Sequence, residues 1–341
     1  MSYYTGIDVS LEVSYFCVVD PVGKIVKEAR VASEPEAILG WFAGLGLEME
    51  AVGLEAGPLS QWLYSAMIDA GLPAVLLETR QVRDAFRSMP VKTDRKDARG
   101  IAQLMRLGWY RKVHCKTQEA QENRTLLAGR KMLQSRYIDL EMCLRGLLRG
   151  YGLKVGPTNR KTFEGRVREL AESVPGLTDT IDALLKSRAA LLAEFRRLDG
   201  IVTKRARQDQ RAQLLMTVPG VGALISLTYV SAIDDPARFR SSRTVGAHLG
   251  LTQRKYQSGE TDVTGRISKC GDQEVRTALY EAANIILTRP VKGSQLKSWA
   301  AKVAARAGMK KAKVALARKL AVVMHRMLSD GTCFDPKLAA A

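Results

Sequence analysis

Four acidic residues stand where a carboxylate can do chemistry. Asp8 lies in Gly6-Ile7-Asp8-Val9-Ser10 and Glu55 in Gly53-Leu54-Glu55-Ala56-Gly57, each closing a short apolar run, with small neighbours that leave room for a ligand. Asp94 and Asp97 lie in Lys92-Thr93-Asp94-Arg95-Lys96-Asp97-Ala98-Arg99, where a spacing of three puts both on one helical face. Four carboxylates meeting at one point repel and raise one another's pKa unless divalent cations neutralise them. Two-metal phosphoryl transfer makes that demand: Mg²⁺ or Mn²⁺ activates the attacking oxygen and stabilises the leaving one. Hard oxygen donors suit those ions, whereas three scattered histidines and five cysteines without C-x-x-C pairing supply neither a zinc set nor a disulfide framework. Taken singly, each carboxylate has an ordinary explanation: Asp8 in a turn, Glu55 on the surface, Asp94 as a helix N-cap with Asp97 in the first turn. Their order along the chain favours the metal site. Lys92, Arg95, Lys96 and Arg99, interleaved with the last pair, are expected to hold substrate phosphates beside the metals.

The carboxylates converge only if the elements carrying them do. Tyr3 to Val9, Val13 to Val19 and Ile25 to Val31 read as three short strands, the last two joined by a turn at Pro21-Val22-Gly23-Lys24. Helical spacing follows from Pro35 to Leu45, a strand from Ala51 to Glu55, a helix from Leu59 to Ala70 and a short apolar run from Pro73 to Leu77. The order βββαβαβ followed by a helix is that of the ribonuclease-H-like fold. There the first and fourth strands are parallel neighbours, so Asp8 and Glu55 leave the sheet at the same edge.

The rest of the chain has a different character. Up to Cys115 there are 13 basic and 14 acidic residues; beyond it there are 40 and 21, so the formal charge of +18 resides there. An excess of that size marks a polyanion partner. No run of about 18 apolar residues serves a membrane, and Met1 to Gly6 lacks a signal-peptide layout, so a cytoplasmic protein with a nucleic-acid partner is expected. Leu126, Leu133, Tyr137, Leu140, Leu144 and Leu147 form a heptad seam, which resumes after a Gly-rich break at Ile181, Leu184, Arg188, Leu191, Phe195, Leu198 and Val202. Two such helices can pair within the chain or with a second subunit, and the seams favour self-association. Val218-Pro219-Gly220-Val221-Gly222 resembles a helix-hairpin-helix element, in which Gly220 and Gly222 would let backbone N–H groups approach a phosphate. Two Gly-bounded loops follow, one with Arg254 and Lys255, the other with Arg266 and Lys269; both are poor core material and read as nucleic-acid contacts. A basic helical stretch closes the chain.

Taken together, G-I-D-V-S, G-L-E-A-G, K-T-D-R-K-D-A-R, V-P-G-V-G, G-L-T-Q-R-K-Y-Q-S-G and G-R-I-S-K-C-G-D resemble, in this order, the DEDD transposases of insertion-sequence family one-ten, the bridge-RNA-guided recombinases. The resemblance spans Gly6 to about Asp335. It implies an α/β plus α chain: a RuvC-like (ribonuclease-H-like) catalytic domain at 1–115, a helical coiled-coil region at 116–210, and a helical transposase domain with the helix-hairpin-helix-like element at 211–341. The family's carboxylates fall on Asp8, Glu55, Asp94 and Asp97, and its serine nucleophile falls on Ser258. Mg²⁺ dependence, a homodimer assembling to a tetramer on DNA, action on element ends and target, and guidance by a non-coding bridge RNA are further implications. Two rivals share parts of this pattern. A junction-resolving endonuclease would use the same carboxylates with water in place of Ser258, and a non-catalytic nucleic-acid-binding protein would share the basic surface alone.

Overall fold

A computed structural model describes residues 2–87, 92–291 and 293–337 and divides into two compact units, Met1–Lys116 and Thr117–Ala341. In the first unit the strands β1 (Tyr3–Asp8), β2 (Val13–Val19) and β3 (Ile25–Ala32) are followed by α1 (Pro35–Leu45), β4 (Met49–Glu55), α2 (Ser60–Asp69), β5 (Ala74–Leu77), α3 (Thr79–Phe86) and α4 (Asp94–Leu107). The sheet order is β3-β2-β1-β4-β5, with β1 antiparallel to β2 and parallel to β4. This mixed sheet is compatible with the expected ribonuclease-H-like domain. Strand alternation sends Ile7, Val52 and Leu54 into an apolar layer under α1 and α2, built around Phe16, Phe42 and Leu63. The opposite face packs Ala98, Ile101, Ala102 and Met105 of α4.

The second unit holds α5 (Gln118–Arg149), α6 (Phe163–Ala171), α7 (Thr178–Gln208), α8 (Gln210–Met216), α9 (Ala223–Ile233), α10 (Ser242–His248), β6 (Gln253–Ser258), β7 (Thr261–Ile267), α11 (Gln273–Thr288), α12 (Gln295–Ala307) and α13 (Met309–Asp330). The two long helices lie antiparallel within the one chain: Arg205 bonds Asn123, Arg130 bonds Asp199, Tyr137 meets Phe195 and Arg188 bonds Glu141. The heptad seams thus find their partners intramolecularly, because the break between them is long enough to reverse the chain. Arg188, which interrupts the seam, is buried against Glu141 and over the Phe163 ring. The ends of this hairpin share a core with the following helices, through Leu126, Val202 and Ala206 beside Leu215, Tyr229 and Leu279, so residues 117–210 do not separate as a compact unit. The stretch read as two loops is a two-stranded ribbon, β6 and β7, exposed along nearly its whole length. No helix among the described residues is long and apolar enough to cross a membrane.

Candidate active site

Gly6 and Gly53 are direct partners in the β1–β4 ladder, and each stands two residues before a candidate carboxylate. Alternation therefore places Asp8 and Glu55 on the same face as the two glycines. A Cβ on Gly6 would lie 2.2 Å from the Ala98 carbonyl oxygen and 2.3 Å from the Ala102 nitrogen; one on Gly53 would lie 2.5 Å from Met105 Sδ. Only bare backbone lets α4 approach the strands this closely. Ala98 and Ala102 sit over Gly6, so the first turn of α4, with Asp94 and Asp97, reaches toward the Asp8 end of β1. Thr93, not Asp94, is the N-cap: its hydroxyl accepts from the Lys96 N–H. Asp94 is exposed and released from capping, while Asp97 is buried at 7% exposure.

Asp8 feels the charges of the other three. Burial pushes the Asp8 carboxyl up to about 6, and the negative charges of Asp97, Asp94 and Glu55 push in the same direction against Lys92. Glu55 is raised by burial and by Asp97, opposed by a Thr79 hydrogen bond and by Lys92. Lys92 Nζ lies 3.6 Å from Asp97 Oδ2. A cavity of about 330 Å³ opens at the strand ends between Asp8, Ser10, Glu55 and Gly57. Among the described residues no three acidic, histidine or cysteine side chains stand close enough together to hold an ion as they lie. The set is at electrostatic range, not coordination range. Its donors are all carboxylate oxygens, and the repulsion that Lys92 only partly offsets is the kind a hard divalent cation removes, so the residues fit Mg²⁺ or Mn²⁺.

The neighbouring arginines are engaged elsewhere. Arg95 donates to Glu28 Oε2 through Nε at 3.1 Å and Nη2 at 2.5 Å, and Arg99 donates to both Glu28 oxygens at 2.6 and 2.9 Å. These bonds hold the Glu28 carboxyl down at about 2. Arg95 and Arg99 therefore tie α4 to β3 through Nε and Nη2, which leaves Nη1 of each for any further anion. Lys96 is exposed.

In the second unit Gly220 packs: a Cβ there would meet the Ala282 carbonyl oxygen at 3.1 Å and Ile286 at 3.2 Å. Gly222 starts α9 with open space around it, and so remains the better placed of the pair for a phosphate. Ser258 ends β6 opposite Thr261, at the tip of the ribbon, exposed. Among the described residues no side chain hydrogen-bonds its hydroxyl. Lys255 lies 3.2 Å from Asp262, Arg254 donates to the Ser268 carbonyl at 3.1 Å, and Arg266 and Lys269 are exposed.

A freely standing ribbon is aimed by its base. Here Ser268 N donates to Thr252 O and Lys269 N to Gly250 O. The two loops cross so tightly that a Cβ on Gly250 would lie 2.1 Å from the Cys270 carbonyl oxygen, and one on Gly271 would lie 2.1 Å from that of His248. Arg276 closes the crossing: its Nη1 donates to the Leu249, Cys270 and Gly271 carbonyls at 3.2, 2.7 and 2.9 Å. Sequence reading missed Arg276, since nothing local marks an arginine on a helix as a loop staple. Gly6 and Gly53, read from sequence as leaving room for a ligand, instead make room for α4.

A carboxylate-edged mixed sheet in one unit and a strongly basic helical unit after it fit an enzyme that works on nucleic acid. Residues 5–153 match a family described as Transposase, and residues 212–298 match the Transposase IS116/IS110/IS902 family. The chain is 30% identical over 333 residues to the transposase for insertion sequence element IS1111A of Coxiella burnetii, covering 95% of this chain and 89% of that one. It is 28% identical to the transposase for IS1328 of Yersinia enterocolitica over half of each chain. A stretch of 79 residues, about a quarter of each chain, is 34% identical to the pilin gene-inverting protein of Moraxella bovis. The chain belongs to the IS110 family of transposases and is a DNA transposase/recombinase.

Proposed function

We propose that the chain cuts and rejoins DNA with a Mg²⁺-dependent site formed by Asp8, Glu55, Asp94 and Asp97 and with Ser258 as the nucleophile, at element ends and target chosen by a bridge RNA. The observation that carries this reading is that Asp8 and Glu55 line one cavity at the strand ends, where the charges of Asp97, Asp94 and Glu55 add to burial in raising the Asp8 carboxyl. Bound there, Mg²⁺ would supply charge neutralisation for the attacking and leaving oxygens. The chain's own contribution is geometric. The two strands and α4 hold Asp8, Glu55 and Asp97 at least partly buried and Asp94 exposed beside them, and Lys92 moderates their repulsion. Attack by Ser258 Oγ on phosphorus forms one phosphate ester as another P–O bond breaks; the serine proton is lost and the departing sugar oxygen gains one. One ester replaces another, so the strand can be resealed without an external energy source. Water in the same role would discard the ester. The exposed place of Ser258 at the ribbon tip supports attack on a bulky polymer, which could not enter a closed pocket. Homodimers assembling to tetramers belong to the same proposal and rest on the family resemblance.

The test is cleavage of labelled DNA carrying the element ends, resolved on denaturing gels. Asp8→Ala, Glu55→Ala and Asp97→Ala should each abolish cleavage while the protein stays folded and binds nucleic acid, and EDTA should stop the unaltered protein. The covalent adduct should vanish in Ser258→Ala. Cleavage in EDTA would overturn the metal site, and an adduct surviving Ser258→Ala would overturn the nucleophile.

A further inference from the structure

Beside the ribbon the second unit carries an open groove of about 1290 Å³, between β7, α12 and one face of α13. Its chemistry is divided. The floor is apolar, with Leu251, Ile267, Trp299, Val303, Val314 and Val322, most of them half-buried and so turned partly toward solvent. The rim is cationic, with Arg243, Arg266, Lys269, Lys311, Arg318 and Lys319, and among the described residues the lining holds no carboxylate. On α13 the residues 311, 314, 315, 318 and 322 recur at helical spacing, so this face is built as a stripe. Lys319 Nζ lies 4.4 Å from the Trp299 ring centroid, an ammonium held on an aromatic face.

From this division we infer that the groove binds an unpaired nucleic-acid strand, with phosphates on the cationic rim and base faces on the Trp299 floor. The inference rests on the reading of the chain as a nucleic-acid-cutting enzyme and names which form of the polymer this surface takes. A duplex presents sugar and phosphate outward and keeps its base faces stacked inside, so it can satisfy the rim but offers nothing to an apolar floor. An unpaired strand satisfies both: its phosphates release counterions to the lysines and arginines, and its bases cover the floor. A phosphate arriving at Lys319 competes with the indole for the ammonium and uncovers the ring face for a base. An apolar peptide would fill the floor and leave the cations unmatched. Strand exchange requires segments that are at some stage unpaired, and a groove flanking the ribbon that carries Ser258 would hold one there.

The experiment uses the full chain, freed of bound nucleic acid in high salt. It is titrated with dye-labelled oligothymidylate of about 12 nucleotides and with a blunt duplex of equal length. The unpaired oligomer should bind more tightly by anisotropy and quench intrinsic tryptophan fluorescence; the duplex should quench little. Trp299→Leu should lose most of the quench and weaken oligothymidylate binding roughly tenfold, while Trp299→Tyr, which keeps a stacking ring, should restore most of the affinity. Lys311→Gln combined with Arg318→Gln should reduce the slope of log K against log salt by about 1.4 for the oligomer, about 0.7 for each phosphate that is no longer neutralised. Equal affinity for duplex and unpaired strand, or unchanged binding in Trp299→Leu, overturns the inference. If cleavage and the Ser258 adduct persist in that event, the groove assignment alone has failed; the cut-and-rejoin reading fails separately, on the carboxylate and serine variants.

Discussion

Substituting Gly6 by Ala adds one methyl group at the point where α4 lies closest to the sheet. The new Cβ would stand 2.2 Å from a helix carbonyl oxygen and 2.3 Å from a helix nitrogen, whereas ordinary contact begins near 3.4 Å. Relief therefore demands that backbone move by about 1 Å, since neither atom belongs to a side chain that can swing away. Overpacking of this kind costs about 1–3 kcal/mol of stability. The functional loss should be larger. A shift of about 1 Å at a catalytic centre can lower a rate roughly 100-fold, and α4 carries Asp94 and Asp97. Gly53→Ala should be milder, because its new Cβ meets Met105 Sδ at 2.5 Å, the flexible end of a side chain that can turn aside. Gly40→Ala in α1, with nothing within 4 Å, should be neutral or stabilising by up to about 1 kcal/mol from helix propensity. Urea unfolding of the three variants gives the stability order, and Mg²⁺-dependent cleavage under folded conditions gives the catalytic order. If Gly6→Ala cleaves as fast as the unaltered protein, or if Gly53→Ala is the worse of the two, the account of α4 as positioned by the glycine pair is wrong.

Two further outcomes follow from the ion pairs and the ribbon base. The Glu28 carboxyl, held down at about 2 from an ordinary 4.5, contributes stability that is present above about pH 4.5 and is lost as pH falls through 2. Because Arg95 and Arg99 are 61% and 38% exposed, Glu28→Gln should cost only about 1–2 kcal/mol at pH 7. The gap between variant and unaltered protein should close on acidification; a gap independent of pH would refute the pair's role. Arg276→Met removes the staple at the ribbon base, so formation of the Ser258 adduct should fall by about 100-fold while oligonucleotide affinity stays within about twofold. Arg276→Lys should recover part of the loss, and equal losses in binding and adduct formation would mean that Arg276 acts in some other way.

The sheet was legible because β1 and β4 are buried on both faces, under α1 and α2 on one side and α4 on the other, and so read as short apolar runs ending in a carboxylate. The adjacency of β1 and β4 followed from element order, and with it the place of Asp8 and Glu55 on one cavity at the strand ends. The ribbon was not legible for the converse reason: Gln253 to Ser258 is exposed on both faces, and a strand that buries nothing needs no apolar alternation, so it reads as a polar loop. The heptad seams announced two helices but could not name the partner, since a hole lined by Leu and Phe accepts a knob from the same chain or from another. Even Arg188, the apparent flaw in the seam, is explained only by Glu141, 47 residues away. Arg95 and Arg99 show the same limit. Their charge was plain, yet their engagement depends on Glu28, 67 and 71 residues distant, which the strand order brings beneath α4.

Under the proposed function, the uneven charge of the chain answers a conflict between two tasks. A site built from four carboxylates repels the phosphates it must act on, and surrounding it with a large positive excess would pair those carboxylates with lysine and arginine in place of a cation, as Glu28 is already paired. The chain instead keeps its first 115 residues near neutrality, with 13 basic against 14 acidic, and gives the excess to the remainder, with 40 against 21. On that proposal, grip on the polymer and chemistry on the phosphate fall to different stretches of sequence. The salt dependence of nucleic-acid binding should accordingly follow substitutions after Lys116, whereas the dependence of cleavage on divalent cation should follow substitutions before it.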